Sequence, residues 1–86
     1  MDKFTGLLTK IRLIKEKPLL VRFTLITETD SINCLVADER ISKQILMLPD
    51  GKWTVVVKGH FNRKDQLVIR ELKIVDKDDF THKLYL

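Results

Sequence analysis

An all-β domain with one helix, its five strands closed into a barrel, is the fold this sequence predicts. Three observations lead there. Apolar and polar residues alternate with period two through most of the chain, the pattern of strands that bury one face. Only residues 38–48 shift to a helical spacing. The length of 86 residues, 44% of them apolar and 33% charged, serves one hydrophobic core and no second domain. Three Gly and two Pro also set the chain apart from disordered and collagen-like compositions.

The first strand places Leu7, Thr9, Ile11 and Leu13 on one face and Leu8, Lys10, Arg12 and Ile14 on the other. Lys15-Glu16-Lys17-Pro18 breaks the run, because proline constrains its predecessor and brings no N–H to a ladder. In the second strand Leu19, Val21, Phe23 and Leu25 oppose Leu20, Arg22, Thr24 and Ile26. Glu28-Thr29-Asp30-Ser31 is turn chemistry, and residues 32–37 form the third strand. Within 38–48, Ile41, Ile45 and Leu48 recur at helical spacing with Leu46 beside them. Asp38 suits the N-cap or first turn, where a carboxylate complements the free amides. Pro49-Asp50-Gly51 ends the helix in a turn. The fourth strand covers 53–61 and residues 62–66 form a short loop. The fifth covers 67–75, its apolar parity slipping between Ile69 and Leu72 as at a bulge. Gly6 and Gly59 suit points where strands approach closely.

Three strands, a helix and two strands follow the order of the OB-fold, a five-stranded Greek-key barrel whose helix, between strands three and four, plugs one end. Residues 1–76 then form the OB-fold domain and 77–86 a short C-terminal tail. In such a barrel the first strand is expected beside the second and fourth, and beside the fifth at closure.

The segment 55–75, VVVKGHFNRKDQLVIRELKIV, resembles the strand-four to strand-five hairpin of bacterial single-stranded-DNA-binding proteins. Val55, Val57, Gly59 and Glu71 occupy the family's alternating aliphatics, its glycine and its mid-strand glutamate. The opening Phe-Thr-Gly-Leu-Leu-Thr-Lys-Ile is similar to the family's first strand. Primosomal and tRNA-binding OB modules share the pattern. The resemblance implies an OB barrel that binds single strands, DNA in preference to RNA. The chain departs from the family in its short hairpin loop and in lacking the long Gly- and Pro-rich, acidic-tipped extension.

Charge gives an independent reason to expect an anionic partner. The net charge is +4 with a pI near 9.4. It is also uneven: residues 1–27 and 52–75 each hold six basic and two acidic side chains, whereas 28–51 hold two basic and five acidic. A barrel would bring the two basic segments together. Single-stranded nucleic acid is bound by cations that follow the phosphates and by planar groups that stack on bases. Alternate strand positions offer Lys10, Arg12, Arg22, Lys58 and Arg70, and the 62–66 loop adds Arg63 and Lys64. Trp53 and Phe61, with His60 beside the latter, are the stacking candidates, although they share parity with the core positions Val55 and Val57. Asn33 is placed to bond a base edge, or is an ordinary exposed strand residue. Phe23 belongs in the core, and Phe80 and Tyr85 in the tail are available to cap the barrel or meet a second subunit.

Catalysis is not expected. His60 and His82 are the only imidazoles, and Cys34 shares its strand face with Ile32 and Val36, the setting of a buried inert thiol. The chain holds no Gly-rich phosphate loop or nucleophile elbow, and too few N and S ligands for zinc, so neither cofactor nor metal is expected. The single cysteine, the lack of a long apolar run and a charged N-terminus lead to an expectation of a cytoplasmic protein with no membrane segment. Leu20, Ile26 and Leu35 sit on the polar sides of their strands and point to an alternative: an assembly module acting as a homodimer or a subunit of a larger complex.

Overall fold

Five strands and one helix follow in the expected order in the computed structural model, which describes residues 1–75. They are β1 (Asp2–Glu16), β2 (Leu19–Ile26), β3 (Ser31–Val36), α1 (Glu39–Leu46), β4 (Thr54–Phe61) and β5 (Leu67–Val75). The tail expected at 77–86, with Phe80, His82 and Tyr85, lies outside the described residues.

The strands close into one barrel in the order β1-β2-β3-β5-β4. Every ladder is antiparallel except β3–β5, where Cys34 and Leu35 lie opposite Leu67 and Val68 in parallel. Closure therefore differs from the expected contact between the first and fifth strands. β1 is 15 residues long and is used twice: Asp2–Leu7 pair with β4 and Leu7–Glu16 with β2, so β5 closes on β3 instead.

Inward residues of β2 (Val21, Phe23, Leu25), β4 (Val55, Val57) and β5 (Leu67, Ile69) are at most 1% exposed. Ile45 of α1 enters the same core, with Ile41 and Leu48 packed at its margin, while Leu46 remains exposed. Burying a side chain of this size contributes about 1.5–3 kcal/mol. The helix starts where expected: the Asp38 carboxylate accepts the Ile41 N–H at 3.1 Å. Ser42, buried beside Ile45, donates its hydroxyl to the Val36 carbonyl at 3.2 Å and ties α1 to the end of β3.

β1 is the strand that departs from simple alternation. Thr9 faces Thr24, but the next pair is Arg12 with Arg22, so β1 holds one extra residue and bulges. Lys10 stands in the left-handed region at φ 51, a conformation costing a non-glycine residue about 1 kcal/mol or more. The parity shift brings Ile11 to the core margin and leaves Lys10 exposed. The Asp50 carboxylate holds this bend, accepting the Lys10 N–H at 2.8 Å and the Ile11 N–H at 3.2 Å. Leu8 is braced by the same segment, accepting from the Gly51 N–H and donating to the Trp53 carbonyl, both at 2.9 Å.

The register of β1 with β2 shifts again between Leu13 and Lys15, and the bulge of β5 falls where parity predicts. Lys58 faces Glu71 and Gly59 faces Ile69, which leaves Arg70 as the extra residue of β5. Both strand glycines are required by close approach: a Cβ at Gly6 would collide with the Ile26 carbonyl oxygen, and one at Gly59 with that of Val68.

Candidate nucleic-acid interface

Residues that alternate with the core point outward, and cross-strand register arranges them in rows. On the face built by the second half of β1 with β2 and β3, one row runs Arg12–Arg22–Leu35 and the next Thr9–Thr24–Asn33. Opposed side chains on neighbouring strands have Cβ atoms about 4.5–5.5 Å apart, and like charges so placed repel. Arg12 and Arg22 are both exposed, and among the described residues neither enters an ion pair. The next row provides the Thr24 hydroxyl and the Asn33 amide, while the Thr9 hydroxyl donates to the Thr24 carbonyl at 2.9 Å and secures the pairing of β1 with β2.

Basic turns stand at both ends of this face. Residues 62–66 are folded around Asn62, whose Oδ1 accepts the N–H groups of Lys64 and Gln66, each at 3.0 Å. Its Nδ2 donates to Gln66 Oε1 at 3.0 Å, and the Asp65 N–H donates to the Asn62 carbonyl at 3.1 Å. Asp65 takes the left-handed conformation at φ 62 that returns the chain to β5. Arg63 and Lys64 are thereby displayed on an ordered tip. Because β5 runs parallel to β3 with Leu67 beside Cys34, this tip lies toward the Asn33 end of β3. Lys15 and Lys17, exposed at the β1–β2 turn, mark the opposite end. Sequence reading missed these two, since Lys15–Pro18 registered only as a strand break. Their signal was the position of two lysines at the tip of a long hairpin.

No known family profile matches the chain, and no curated protein does. Solved structures do. The crystal structure of yeast Stn1 and Ten1 matches over 96% of this chain with a TM-score of 0.70 and 14% sequence identity. The chain is an OB-fold barrel. It spans 46% of the length of the matched chain, and at this identity the likeness is one of fold. It does not single out the bacterial family that the 55–75 hairpin resembles.

The OB barrel separates several residues that sequence reading had expected in one groove. β4 shares no ladder with β2 or β3, so Lys58 lies away from Arg22 and Asn33, and His60 stands two strands from Leu35 with Val68 between them. Lys58 instead faces Lys3 across β1–β4 and forms an ion pair with Glu71 at 3.5 Å. Arg70, displaced by its bulge, lines a hollow of about 460 Å³ against Asp38, Arg40 and Gln44 of the α1 region. Lys10 is exposed at the β1 bend, its backbone held by Asp50.

The two stacking candidates are also apart. Trp53, half-buried, precedes β4, and Phe61 ends it; eight extended residues span about 27 Å. Phe61 is 41% exposed, edge-on to Phe4 with ring centroids 6.0 Å apart, at the root of the Arg63–Lys64 tip. Phe23 is core, as expected, and no outward residue of β2 or β3 is aromatic. The planar groups on the arginine face are therefore the guanidiniums, with Phe61 only at the loop end.

Cys34 is fully buried, and burial pushes its thiol up to about 12, against the opposing effect of a backbone hydrogen bond at Leu25. Such a thiol holds its proton and is a poor nucleophile. Among the described residues no three His, Cys, Asp or Glu side chains are grouped to hold a metal ion, and no helix is long and apolar enough to cross a membrane.

Proposed function

We propose that this OB barrel is a non-catalytic module that binds single-stranded nucleic acid along its β1–β2–β3 face. Arg12 opposite Arg22 is the observation that carries the reading. Two exposed guanidiniums held one strand apart, without a carboxylate partner among the described residues, repel each other until an anion lies between them. A phosphate backbone supplies such anions in series. Thr24 and Asn33 would meet sugar or base edges, and the tips bearing Arg63–Lys64 and Lys15–Lys17 would keep the strand on the face. DNA is favoured over RNA on the resemblance of the 55–75 hairpin to bacterial single-stranded-DNA-binding proteins, and a single, buried cysteine suits a cytoplasmic setting.

The test is fluorescence anisotropy of labelled oligo-dT and oligo-U at about 50 and about 200 mM salt. Four phosphate contacts, from Arg12, Arg22, Arg63 and Lys64, predict a slope of log K against log salt of about −3. Absence of binding at the lower salt refutes the proposal.

A second reading, an assembly module, rests on the apolar residues of the same face. Ile26 is 41% exposed, and Leu35 lies directly opposite Arg22. A homodimer formed through Leu35 would cover Arg22, so binding and dimerisation at this face exclude each other. Mass in solution, measured with and without oligo-dT, separates the two readings.

A further inference from the structure

A second basic face lies on the other side of the barrel, where the first half of β1 meets β4 and β5. One outward row is Lys3–Lys58–Glu71, and the row beside it is Thr5–Val56–Lys73. Lys3 and Lys58 face each other directly, and of the three lysines only Lys58 has an ion-pair partner among the described residues. Lys3, Lys58, Lys73 and Glu71 surround a hollow of about 420 Å³ with half-buried Val56 among them, and Leu72, opposite inward Val57, borders it from the core side.

The make-up of this hollow differs from that of a nucleic-acid groove in three respects. Its cations are lysines, point charges without the planar fork that stacks on bases or grips phosphate bidentately. Its lining includes no aromatic residue on which a base could stack. It also holds a carboxylate, Glu71, which repels a run of phosphates but, fixed by Lys58, can accept an N–H from an extended peptide backbone. Val56, outward between Thr5 and Lys73, provides apolar contact for one side chain.

We infer that the β1–β4–β5 face docks an extended acidic peptide, its carboxylates on Lys3 and Lys73 and an apolar side chain over Val56. The partner is a protein segment with alternating acidic and apolar residues, and it can be held while the opposite face is occupied.

The test uses a fluorescein-labelled peptide of alternating Glu and Leu, with oligo-dT in a parallel titration. Lys3→Glu/Lys73→Glu leaves the Lys58–Glu71 pair in place and alters two exposed side chains, and a thermal melt by circular dichroism verifies its fold. It should weaken peptide binding by about tenfold or more and change oligo-dT affinity by less than about twofold. Arg12→Glu/Arg22→Glu should do the reverse. Failure of the wild-type protein to bind the peptide at low salt overturns the inference, as does equal loss of peptide binding in both double variants. A large loss of oligo-dT binding in Lys3→Glu/Lys73→Glu also overturns it, assigning this face to nucleic acid. If oligo-dT fails to bind while the peptide result holds, the nucleic-acid proposal falls and this one stands.

Discussion

The β1–β2–β3 face and the β1–β4–β5 face share a strand, a sign of charge and a cross-strand pair of like cations, Arg12–Arg22 on one and Lys3–Lys58 on the other. They differ in what surrounds the pair. On the first, the neighbours are hydroxyls, an amide and aliphatic side chains, and no described carboxylate pairs with either arginine. On the second, Glu71 takes up one lysine and the floor is apolar. Their construction differs as well: the β1–β4 register is regular, whereas the β1–β2 register is broken between Thr9–Thr24 and Arg12–Arg22 by the bend that Asp50 holds. Positive charge alone does not define a function here; neighbours and backbone do.

The largest separation between the faces should come from Arg12→Glu/Arg22→Glu, which replaces two charges that attract phosphate with two that repel it. Oligo-dT affinity is expected to fall about a hundredfold at low salt in an anisotropy titration, with acidic-peptide binding unchanged. Equal losses of both ligands would erase the distinction. Asp50→Ala acts one step back, leaving the Lys10 and Ile11 amides without their acceptor. A loss of about 1–3 kcal/mol in urea unfolding is expected, with weaker oligo-dT binding, since the bend orients Arg12. The β1–β4–β5 face should be spared.

Cys34 lies beneath the arginine face, and Val57 holds the inward place on the lysine side. The folded thiol is raised from 9.0 to about 12, so between those values the unfolded chain loses a proton that the folded one keeps. Stability is thus fully present below pH 9.0 and declines toward about 12. Urea midpoints measured at rising alkaline pH should fall less steeply for Cys34→Ala than for the wild type; parallel slopes would contradict this. The smallest effect belongs to Lys58→Ala. Its pair with Glu71 is solvent-exposed and worth about 0–1 kcal/mol, and oligo-dT binding should be unaffected within about twofold. A larger loss would return Lys58 to the nucleic-acid groove.

The succession of elements along the chain, the helix between β3 and β4, the Asp38 cap, the β5 bulge and the two strand glycines were legible in the sequence, because each has a local cause: period, cap chemistry or a missing Cβ. Arg22 and Asn33 were placed on exposed strand positions by the same alternation, whereas Arg12 shares sequence parity with buried Leu8 and turns outward only through the β1 bulge. The bend at Lys10 was not legible, since its support comes from Asp50, 40 residues away in sequence. The split between Arg22 and Lys58 was hidden for a related reason: parity tells which face of a strand a residue occupies, but only the order of strands tells which side of the barrel that strand is on.

The double use of β1 has a kinetic consequence. Its second half pairs with β2 across a short turn, and β2 pairs with β3 across another, so this three-stranded meander needs only short-range contacts. Pairing of its first half with β4 joins Gly6 to Val55 and must close a far longer stretch of chain. The arginine-bearing meander is therefore expected to assemble before the barrel shuts, with sealing of the lysine side as the late, slower event. Pulse-labelled hydrogen exchange during refolding would show this as protection of β2 and β3 amides ahead of those of β4.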